Sequence, residues 1–320
     1  MSTIITILYL LILDIFHILY LILYPIYMIV VTLFNNQSSQ INLRKYYEGK
    51  IILITGASSG IGRELALQLS TLGSSIILSS RDEKKLNDVA LECQQSSLSK
   101  SQKFLVIPID MGNYNNMEEY WKKCQKALDD NSLRTSIDVL ILNAGISSRG
   151  ACNETSVNVL EKLMAVNFFG PVALTKCILP GMEEKGSGAI AVISSVQGKL
   201  GLPQRTSYAA SKHALQGFYD GLRAEVASKN IRLTTISPGY VKTNLSLNAI
   251  NGDGSNYGKL DETTANGMSP SVLSKIILKS INENKKDVVV ADSKSIAAIQ
   301  LNSQFPDIAA WIMRKRAKKG

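Results

Sequence analysis

Between residues 50 and 290, short runs of β-branched and aliphatic residues alternate with longer segments of helical periodicity. Such alternation is typical of βα units, in which parallel strands form a sheet that helices cover on both faces. No internal repeat and no Pro/Gly/Ser-rich linker divides this region. We therefore predict a single α/β domain with a doubly wound parallel sheet of about seven strands. The candidate strands are KIILIT, SSIILSS, KFLVIPI, IDVLILN, GAIAVIS, IRLTTIS and DVVVA.

The composition argues against several classes of function. With 45% hydrophobic and 19% charged residues, the 320-residue chain is too apolar to be a disordered segment. Its two histidines, His17 and His213, and four cysteines without a CxxC pair favour neither a metal site, a disulfide scaffold nor a Ser-His-Asp hydrolase. Without the five Lys and Arg residues in the last seven positions, the net charge of +9 falls to +4. We therefore expect no nucleic-acid partner.

An almost unbroken apolar run covers residues 15–34. About 20 apolar residues suffice for a helix to cross the hydrocarbon core of a bilayer. A cleaved signal peptide is the alternative, but the run exceeds the usual signal-peptide core of about 7–15 residues, no basic residue precedes it, and no small-X-small cleavage site follows it. We predict a transmembrane anchor and linker in residues 1–47, followed by the folded domain in residues 48–292.

The flanking charges bear on the orientation of this anchor. No Lys or Arg precedes the span, whereas Arg44, Lys45 and Lys50 follow it. The positive-inside rule then favours a cytosolic position for the domain. Three Asn-X-Ser/Thr sequons, at Asn36, Asn153 and Asn244, could be glycosylated only in the opposite, lumenal orientation.

Residues 293–320 mix apolar side chains with a basic end, RKRAKKG. A helix with an apolar face and terminal Lys and Arg residues lies in the plane of a membrane interface. The segment is therefore predicted to be amphipathic and to form a second membrane contact, with docking on the domain core as the alternative. Its end also loosely resembles a dibasic retrieval signal.

A glycine-rich turn, TGASSGIGREL, follows the first predicted strand. Glycines at such a bend let a pyrophosphate approach the N-terminus of the next helix, where free N–H groups and the helix dipole favour an anion. The spacing TGxxxGxG differs from the GxGxxG of other dinucleotide-binding turns. This turn predicts cofactor contacts from Thr55, Gly56, Ser58, Ser59, Gly60, Ile61 and Gly62.

The end of the second predicted strand indicates which dinucleotide binds. An acidic side chain there would accept a hydrogen bond from a free ribose 2′-hydroxyl, whereas an arginine would neutralise a 2′-phosphate. Ser80 occupies the place of the acid and Arg81 follows it, with Arg63 as a potential helper. NADP(H) is therefore favoured over NAD(H), although Arg81 is alternatively an ordinary solvated residue.

The segment ISSVQGKLGLPQRTSYAASKHAL holds the residues that carry chemistry. Tyr208 and Lys212 are four residues apart on a predicted helix and so share one face. A neighbouring ammonium and an oxidised nicotinamide would stabilise the tyrosine phenolate and lower its pKa. Ser195, at a strand end, can donate a hydrogen bond to a carbonyl oxygen on which negative charge develops. Ser195 and Tyr208 are thus predicted to bind substrate as well as to act on it.

With these motifs, residues 48–292 resemble the short-chain dehydrogenase/reductase family, whose domain is a Rossmann fold. The sequence LNAG resembles the family motif NNAG and departs from it at Leu142. The resemblance implies that Asn167 completes a catalytic tetrad with Ser195, Tyr208 and Lys212 through a water-linked relay. It also implies cofactor contacts from Asp110, Asn143, Ala144, Gly145, Tyr208, Lys212, Pro238, Gly239, Val241 and Thr243.

These features together predict a membrane-anchored NADP(H)-dependent oxidoreductase that interconverts a carbonyl and a hydroxyl on a hydrophobic, lipid-like substrate. The segments after PGYVK resemble membrane-bound members of the family, which implies an endoplasmic reticulum membrane, with a peroxisomal membrane as the alternative. A homodimer is left open. A catalytically idle membrane tether that keeps the reductase fold is the alternative function, and the intact tetrad argues against it.

Overall fold

The computed structural model describes residues 19–21, 23–24 and 39–317. The chain divides into two compact units, Met1–Lys45 and Tyr46–Gly320. In the first unit, residues 19–21 and 23–24 are helical, and the side chains of Leu19, Tyr20 and Leu23 are exposed. The rest of the predicted span at residues 15–34, with its flanking residue Asp14 and with His17, lies outside the described residues.

A seven-stranded, fully parallel sheet forms the centre of the second unit. Its order is β3-β2-β1-β4-β6-β7-β9, and two further short strands, β5 and β8, pair separately in parallel. The predicted doubly wound α/β fold is therefore confirmed. The strands are β1 (Ile51–Thr55), β2 (Ser75–Ser79), β3 (Phe104–Val106), β4 (Val139–Leu142), β5 (Ser148–Arg149), β6 (Gly188–Ile193), β7 (Ile231–Pro238), β8 (Ile250–Asn251) and β9 (Asp287–Val290).

Helices cover both faces of this sheet, and all of the helices but the first lie entirely within the second unit. The helices are α1 (Ser39–Tyr47), α2 (Gly60–Ser70), α3 (Glu83–Gln95), α4 (Met117–Asp130), α5 (Val157–Met164), α6 (Gly170–Lys185), α7 (Thr206–Glu225), α8 (Glu262–Ala265), α9 (Pro270–Asn282), α10 (Ser293–Gln304) and α11 (Pro306–Ala317). Helices α2, α3 and α9 form one layer, in which α2 packs on α3 and α9, and the layer with α4, α6 and α7 lies opposite.

The strands are almost continuously apolar because both faces of the sheet are buried. Every residue of β1, β2 and β4 is buried. Polar side chains begin where the strands end, at Thr55, Ser79 and Asn143. The strand order reverses between β1 and β4, and the carboxyl ends of strands at such a reversal border the crevice in which ligands bind.

Among the described residues, one helical stretch is long and apolar enough to cross a membrane by length and composition. This stretch, Val157–Lys185, consists of α5, a π-helical turn at Ala165–Phe169, and α6. Such features alone are consistent with membrane association. Leu163, Leu174 and Met182 are nevertheless fully buried, so much of this stretch packs within the domain.

The C-terminal segment contains two helices, α10 and α11, which pack against each other and belong to the same unit as the sheet. The helices are separated at Phe305, because Pro306 disfavours a helical conformation at the residue before it. Ala309 is buried, whereas Ile308 and Trp311 are about half exposed. The Lys315 ammonium lies 3.6 Å from the centre of the Trp311 ring.

Candidate active site

A cavity of about 1110 Å³ opens at the carboxyl ends of the strands. It extends from the β1–α2 turn past the ends of β2, β4 and β6 to the segment after β7. All predicted cofactor residues except Thr55 and Gly62 line it: Gly56, Ser58, Ser59, Gly60, Ile61, Ser80, Arg81, Asp110, Asn143, Ala144, Gly145, Tyr208, Lys212, Pro238, Gly239, Val241 and Thr243.

The glycine-rich turn presents the N-terminus of α2 to this cavity. Gly56 and Gly60 have φ angles of 69° and 54°, in the left-handed region that glycine adopts without strain. Ser59 is the N-cap residue, but its side chain makes no capping hydrogen bond. The first N–H groups of α2 therefore remain available to an anion at this end of the cavity.

Thr55 and Gly62 do not line the cavity, which differs from the predicted cofactor contacts. The Thr55 hydroxyl accepts hydrogen bonds from the backbone N–H groups of Asn143 (3.0 Å) and Ala144 (3.1 Å). A Cβ added at Gly62 would overlap the Gly56 carbonyl oxygen and lie 2.6 Å from Asn143 Nδ2. Both residues therefore hold the turn against the end of β4.

Asn143 completes this tie between the two strand ends. Its side-chain amide donates to the carbonyl oxygens of Thr55 (3.0 Å) and Gly56 (3.2 Å). Leu142, the position that departs from the family motif, is buried in the main hydrophobic cluster. The departure leaves these hydrogen bonds intact.

The residues after β2 present positive charge to one end of the cavity. Arg81 is exposed and lines the cavity beside Ser80 and Lys85. The neighbouring carboxylate of Asp82 caps α3 by accepting from the Lys85 N–H (3.1 Å) and pairs with the Lys85 ammonium (2.8 Å). Asp82 is thereby engaged within its own helix, while Arg81 faces the cavity.

The proposed helper Arg63 does not line this end of the cavity. Its guanidinium pairs instead with the carboxylates of Glu64 and Glu92. Asp110 does line the cavity, where one carboxylate oxygen accepts from the Gly112 N–H (2.9 Å).

Ser195 and Tyr208 lie together on the cavity wall, both more than 90% buried. The Ser195 oxygen accepts a hydrogen bond from the Gln197 N–H (3.1 Å). The hydroxyl proton of Ser195 is therefore free to be donated to Tyr208 or to a ligand. The side-chain oxygen of Gln197, which also lines the cavity, has no hydrogen-bond partner among the described residues.

The protein's own groups shift the pKa of Tyr208 in opposing directions. Burial raises it above its usual value of 10.0, whereas the Ser195 hydroxyl and the guanidinium groups of Arg149 and Arg205 act in the opposite direction. Lys212 lies 5.9 Å from the centre of the Tyr208 ring and is not among the groups that shift this pKa. Among the protein's own groups desolvation therefore dominates. The lowering expected from Lys212 together with an oxidised nicotinamide stays a prediction.

Lys212 itself is a desolvated cation. Its ammonium donates to the Ile193 carbonyl oxygen (3.1 Å), and burial lowers its pKa from 10.5 to about 8. The Lys212 nitrogen lies near Gly145, where an added Cβ would be in ordinary contact with it at 3.5 Å and would lie closer, at 3.2 Å, to the side-chain oxygen of Asn167. The pKa of Lys212 therefore lies close to neutral pH.

Asn167 lies behind the cavity wall, within the π-helical turn. Its side-chain amide accepts from the Ile146 N–H (2.9 Å) and donates to the Ile146 carbonyl oxygen (2.9 Å) and to the Ser211 hydroxyl (3.0 Å). These bonds connect the segment after β4 with α7. Asn167 is therefore placed as a positioning residue for the strand end and for the helix that carries Tyr208 and Lys212.

Many lining residues were not predicted. Among them are Lys85, the pair Arg149 and Arg205, Gln197, Leu200 and Leu202 after β6, and residues of the C-terminal helices, namely Lys294, Ser295, Ala298, Ile299, Met313 and Arg316. Arg205 stands three residues before Tyr208 and could have been suspected from that spacing alone. No sequence signal marks Arg149, since it reaches the cavity through the pairing of β5 with β8.

The fold and the cavity at the strand-order reversal define a nicotinamide-dependent oxidoreductase, and comparison with known proteins agrees. The family model for short chain dehydrogenases matches residues 50–252. A dehydrogenase/reductase SDR family protein 7-like from Drosophila melanogaster is 45% identical over 86% of this chain and 83% of its own length. A dehydrogenase/reductase SDR family member 7B from Danio rerio is 43% identical over 86% and 88%.

A solved structure shows the same fold. The short chain dehydrogenase/reductase from Burkholderia phymatum, in complex with NAD, aligns with a TM-score of 0.70 at 20% identity and covers 82% of this chain and 95% of its own. The match to the family model and the identity to these relatives show that the chain belongs to the short-chain dehydrogenase/reductase family, as its sequence motifs predicted.

The packing of α2 on the turn can be tested with a pair of helical glycines. Gly62→Ala is expected to lower the free energy of unfolding by about 1–3 kcal/mol and to weaken cofactor binding, because the new Cβ overlaps backbone. Gly181→Ala in α6 is the control, since its Cβ would meet nothing within 4 Å, and it should stabilise by up to about 1 kcal/mol. Urea unfolding and cofactor titration measure both effects; equal stability of the two variants would contradict the packing argument.

The burial of Lys212 predicts a pH-dependent stability difference. Lys212→Met is expected to raise the free energy of unfolding at pH 7 by about 1–3 kcal/mol, because it removes a buried charge. The folded-state pKa of about 8 lies below the unfolded value of 10.5, so the destabilisation is fully present below pH 8 and disappears as the pH rises to 10.5.

Urea unfolding at pH 7 and at pH 10 measures this difference. The exposed residue Lys229 provides the control, because Lys229→Met removes a solvated charge and should change stability by less than about 0.5 kcal/mol at either pH. A Lys212→Met variant that is less stable than the wild type at pH 7 would contradict the assignment of Lys212 as a destabilising buried cation.

Proposed function

We propose that this protein is a membrane-anchored, NADP(H)-dependent reductase or dehydrogenase that acts on a carbonyl or hydroxyl of a hydrophobic substrate. The observation that carries the proposal is the convergence of Ser195, Tyr208 and Lys212 on one wall of the cavity that the glycine-rich turn also lines. When bound, the nicotinamide cofactor supplies or accepts the hydride.

The cavity fits a dinucleotide at the turn. The uncapped N-terminus of α2 and the positive φ angles of Gly56 and Gly60 provide N–H groups and space for a pyrophosphate. At the end of β2, Arg81 lines the cavity, and the neighbouring carboxylate of Asp82 is engaged with Lys85. This arrangement favours a 2′-phosphate and hence NADP(H).

Tyr208 acts as the general acid and base of the proposed reaction. In the reductive direction its hydroxyl donates a proton to the carbonyl oxygen of the substrate, and in the oxidative direction its phenolate accepts the proton of the alcohol. Ser195, whose oxygen already accepts from Gln197, donates a hydrogen bond to the same substrate oxygen. Lys212 places a positive charge on the same cavity wall as Tyr208. Asn167 connects the segment after β4 to α7 through hydrogen bonds to Ile146 and Ser211.

Apolar side chains favour a hydrophobic substrate. Leu200, Leu202, Ile299 and Met313 line the same cavity as the proposed catalytic residues. Residues 245–268, which we call the lid, contribute further lining residues, among them Leu245 and Leu247. An apolar pocket next to a few fixed polar groups is the usual form of a small-molecule site.

The membrane anchor is proposed from residues 15–34. The described part of this run is helical, and Leu19, Tyr20, Leu21 and Leu23 are all exposed although they point in different directions around a helix. A helix that is apolar on all sides is stable in a bilayer. We assign the protein to the endoplasmic reticulum membrane with its catalytic domain in the cytosol.

The catalytic role of Tyr208 is tested by Tyr208→Phe. This variant is expected to lose turnover of carbonyl substrates by a factor of about 10² to 10⁴ while it binds NADPH nearly as well as the wild type, because only the proton donor is removed. Tyr219→Phe is the matched control, since Tyr219 is equally buried, bonds to Thr175 and lies outside the cavity. Activity of Tyr208→Phe close to that of the control would overturn the assignment, and a wild type that reduces no carbonyl would favour the idle tether.

The cofactor preference is tested by Arg81→Ala. The variant is expected to bind NADPH about tenfold more weakly and NADH almost unchanged, because only NADPH has the 2′-phosphate that a guanidinium would hold. Lys84→Ala removes the same charge from an exposed neighbour outside the cavity lining, and should affect neither cofactor. Equal weakening of NADPH and NADH by Arg81→Ala would reject this role.

The anchor is tested by deletion of residues 1–40. The full chain should stay with membranes after an alkaline wash, and the shortened chain should be released, because a spanning helix supplies far more insertion energy than an interfacial helix. Retention of the shortened chain would instead show that another segment, such as the basic C-terminal one, holds it.

A further inference from the structure

A buried amide lies directly behind the cavity wall that carries Ser195. Gln216 belongs to α7, is only 7% exposed and is not a lining residue of the cavity. Its amide nitrogen donates hydrogen bonds to the hydroxyl oxygens of Ser194 (3.2 Å) and Ser237 (3.0 Å), and both serines are buried as well. The Ser194 hydroxyl in turn donates to the Lys212 carbonyl oxygen (3.4 Å). We call Gln216, Ser194 and Ser237 the Gln216 cluster.

The Gln216 cluster joins three segments that line the cavity. One is the end of β6, where Ser194 directly precedes Ser195, and another is the end of β7, where Ser237 directly precedes Pro238. The third is α7, which carries the other two residues of the proposed catalytic wall. One amide nitrogen therefore sets the spacing between the catalytic serine and the helix of its partners.

The turn that begins at Ser195 packs directly on this cluster. A Cβ added at Gly198 would lie 2.6 Å from the Gln216 amide nitrogen and 2.7 Å from the Ser194 oxygen, closer than real Cβ atoms approach. The Gln197 N–H of the same turn donates to the Ser195 hydroxyl oxygen (3.1 Å). A displacement of the Gln216 side chain would therefore displace the turn and the hydroxyl that the turn orients.

The pairing of the strands does not require this amide. β6 and β7 already form a parallel ladder from Gly188 to Ile193, and the Ser194 N–H extends it by donating to the Ile236 carbonyl oxygen (2.7 Å). An apolar side chain of similar length would fill the same space without the cost of burying an amide. The ladder does not fix the distance from the two strand ends to α7, whereas a buried hydrogen-bond network specifies such a geometry.

We propose that Gln216 is a positioning residue for Ser195. Through Ser194 and Ser237, it fixes the ends of β6 and β7 against α7. Ser195 is thereby held within hydrogen-bond reach of Tyr208 and of the substrate oxygen. This inference rests on the proposed reductase function, because it concerns the geometry of that reaction.

Gln216→Met tests this role, because methionine has a similar length and lacks the amide. With NADPH as reductant, kcat for a carbonyl substrate is expected to fall by about tenfold to a hundredfold, since a misplacement of about 1 Å can cost a factor of about 10². Binding of NADPH should change far less than kcat, because Gln216 lies outside the cavity lining. Tyr219→Phe is the matched control: it removes a buried hydrogen bond to Thr175 (2.8 Å) from the same helix and should leave kcat unchanged.

The pH dependence separates positioning from a general loss of stability. The Ser195 hydroxyl lowers the pKa of Tyr208, so a weaker contact between the two side chains raises that pKa. The two guanidinium groups that also lower this pKa are present in both variants. In the oxidative direction the phenolate accepts the proton, so the rise of kcat/KM with pH should shift to higher pH in Gln216→Met and stay in place in Tyr219→Phe. An unshifted profile with unchanged kcat in Gln216→Met would overturn the proposal.

Ser237→Ala keeps the test decisive if Gln216→Met does not fold. Ser237 lies outside the cavity lining, and its substitution removes one of the two acceptors of the amide. This variant should lose less kcat than Gln216→Met and should shift the pH profile in the same direction. The double variant should be no worse than Gln216→Met alone, because both substitutions break the same bond. Losses that multiply in the double variant would show that the two residues act independently, against the proposal.

Hydrogen exchange separates this inference from the reductase proposal. Mass spectrometry follows the backbone amides of residues 197–200, each of which is hydrogen-bonded within the turn, in the full-length protein in detergent. These amides should exchange about tenfold faster in Gln216→Met and at the wild-type rate in Tyr219→Phe, because only the first variant removes the group on which the turn packs.

The two proposals then fail in different ways. Faster exchange of the turn in Gln216→Met would support the positioning role even if the wild type reduced no carbonyl, a result that would reject the reductase proposal alone. Wild-type exchange of the turn in Gln216→Met, in a protein whose wild type does reduce carbonyls, would overturn the positioning role and leave the reductase proposal intact.

Discussion

The close approach of α2 to the end of β4 is the constraint on which the cavity depends. Gly62 allows the helix to lie against the Gly56 carbonyl, and Asn143 binds the backbone of the same turn. These contacts join the two strands between which the strand order reverses. They thereby fix where the helix N-terminus faces, and with it the position of any phosphate relative to the residues after β4. Asn167 in turn connects the segment after β4 to α7 by hydrogen bonds. The end of β4 therefore fixes the positions of both α2 and α7 at the cavity.

The proposed catalytic residues are held at an energetic cost to the fold. Tyr208 and Lys212 are almost completely buried, and burial disfavours the charged form of each, as the directions of their pKa shifts indicate. Charged groups kept out of water must be stabilised by the rest of the domain, and the large aliphatic core on both sides of the sheet does so. The same desolvation strengthens every electrostatic interaction with a ligand in the cavity.

The sequence was sufficient to predict the parallel sheet and the part of the cavity lining at the glycine-rich turn and the strand ends, because both depend on local patterns. Aliphatic runs specify strands buried on two faces, and the turn and the Tyr208–Lys212 spacing have few structural uses outside a dinucleotide enzyme. The sign of the Tyr208 pKa shift could not be predicted, since it depends on how deeply the whole fold buries the ring. Arg149 and Asp261 are 112 residues apart and meet only through the pairing of β5 with β8 and the path of the lid. The C-terminal helices likewise needed three-dimensional information, because amphipathic sequence alone fits both a membrane surface and a domain wall.

The all-parallel sheet has a consequence for how such a protein can change over evolutionary time. The interiors of β1, β2 and β4 must remain aliphatic whatever reaction is catalysed, since each side chain there is enclosed on both faces. Burial restricts the residue types of the lid and the C-terminal helices much less, because these segments contribute a few side chains to the cavity wall and expose many others to solvent. A new substrate can therefore be accommodated by replacing peripheral segments, while the hydride-transfer apparatus is inherited unaltered.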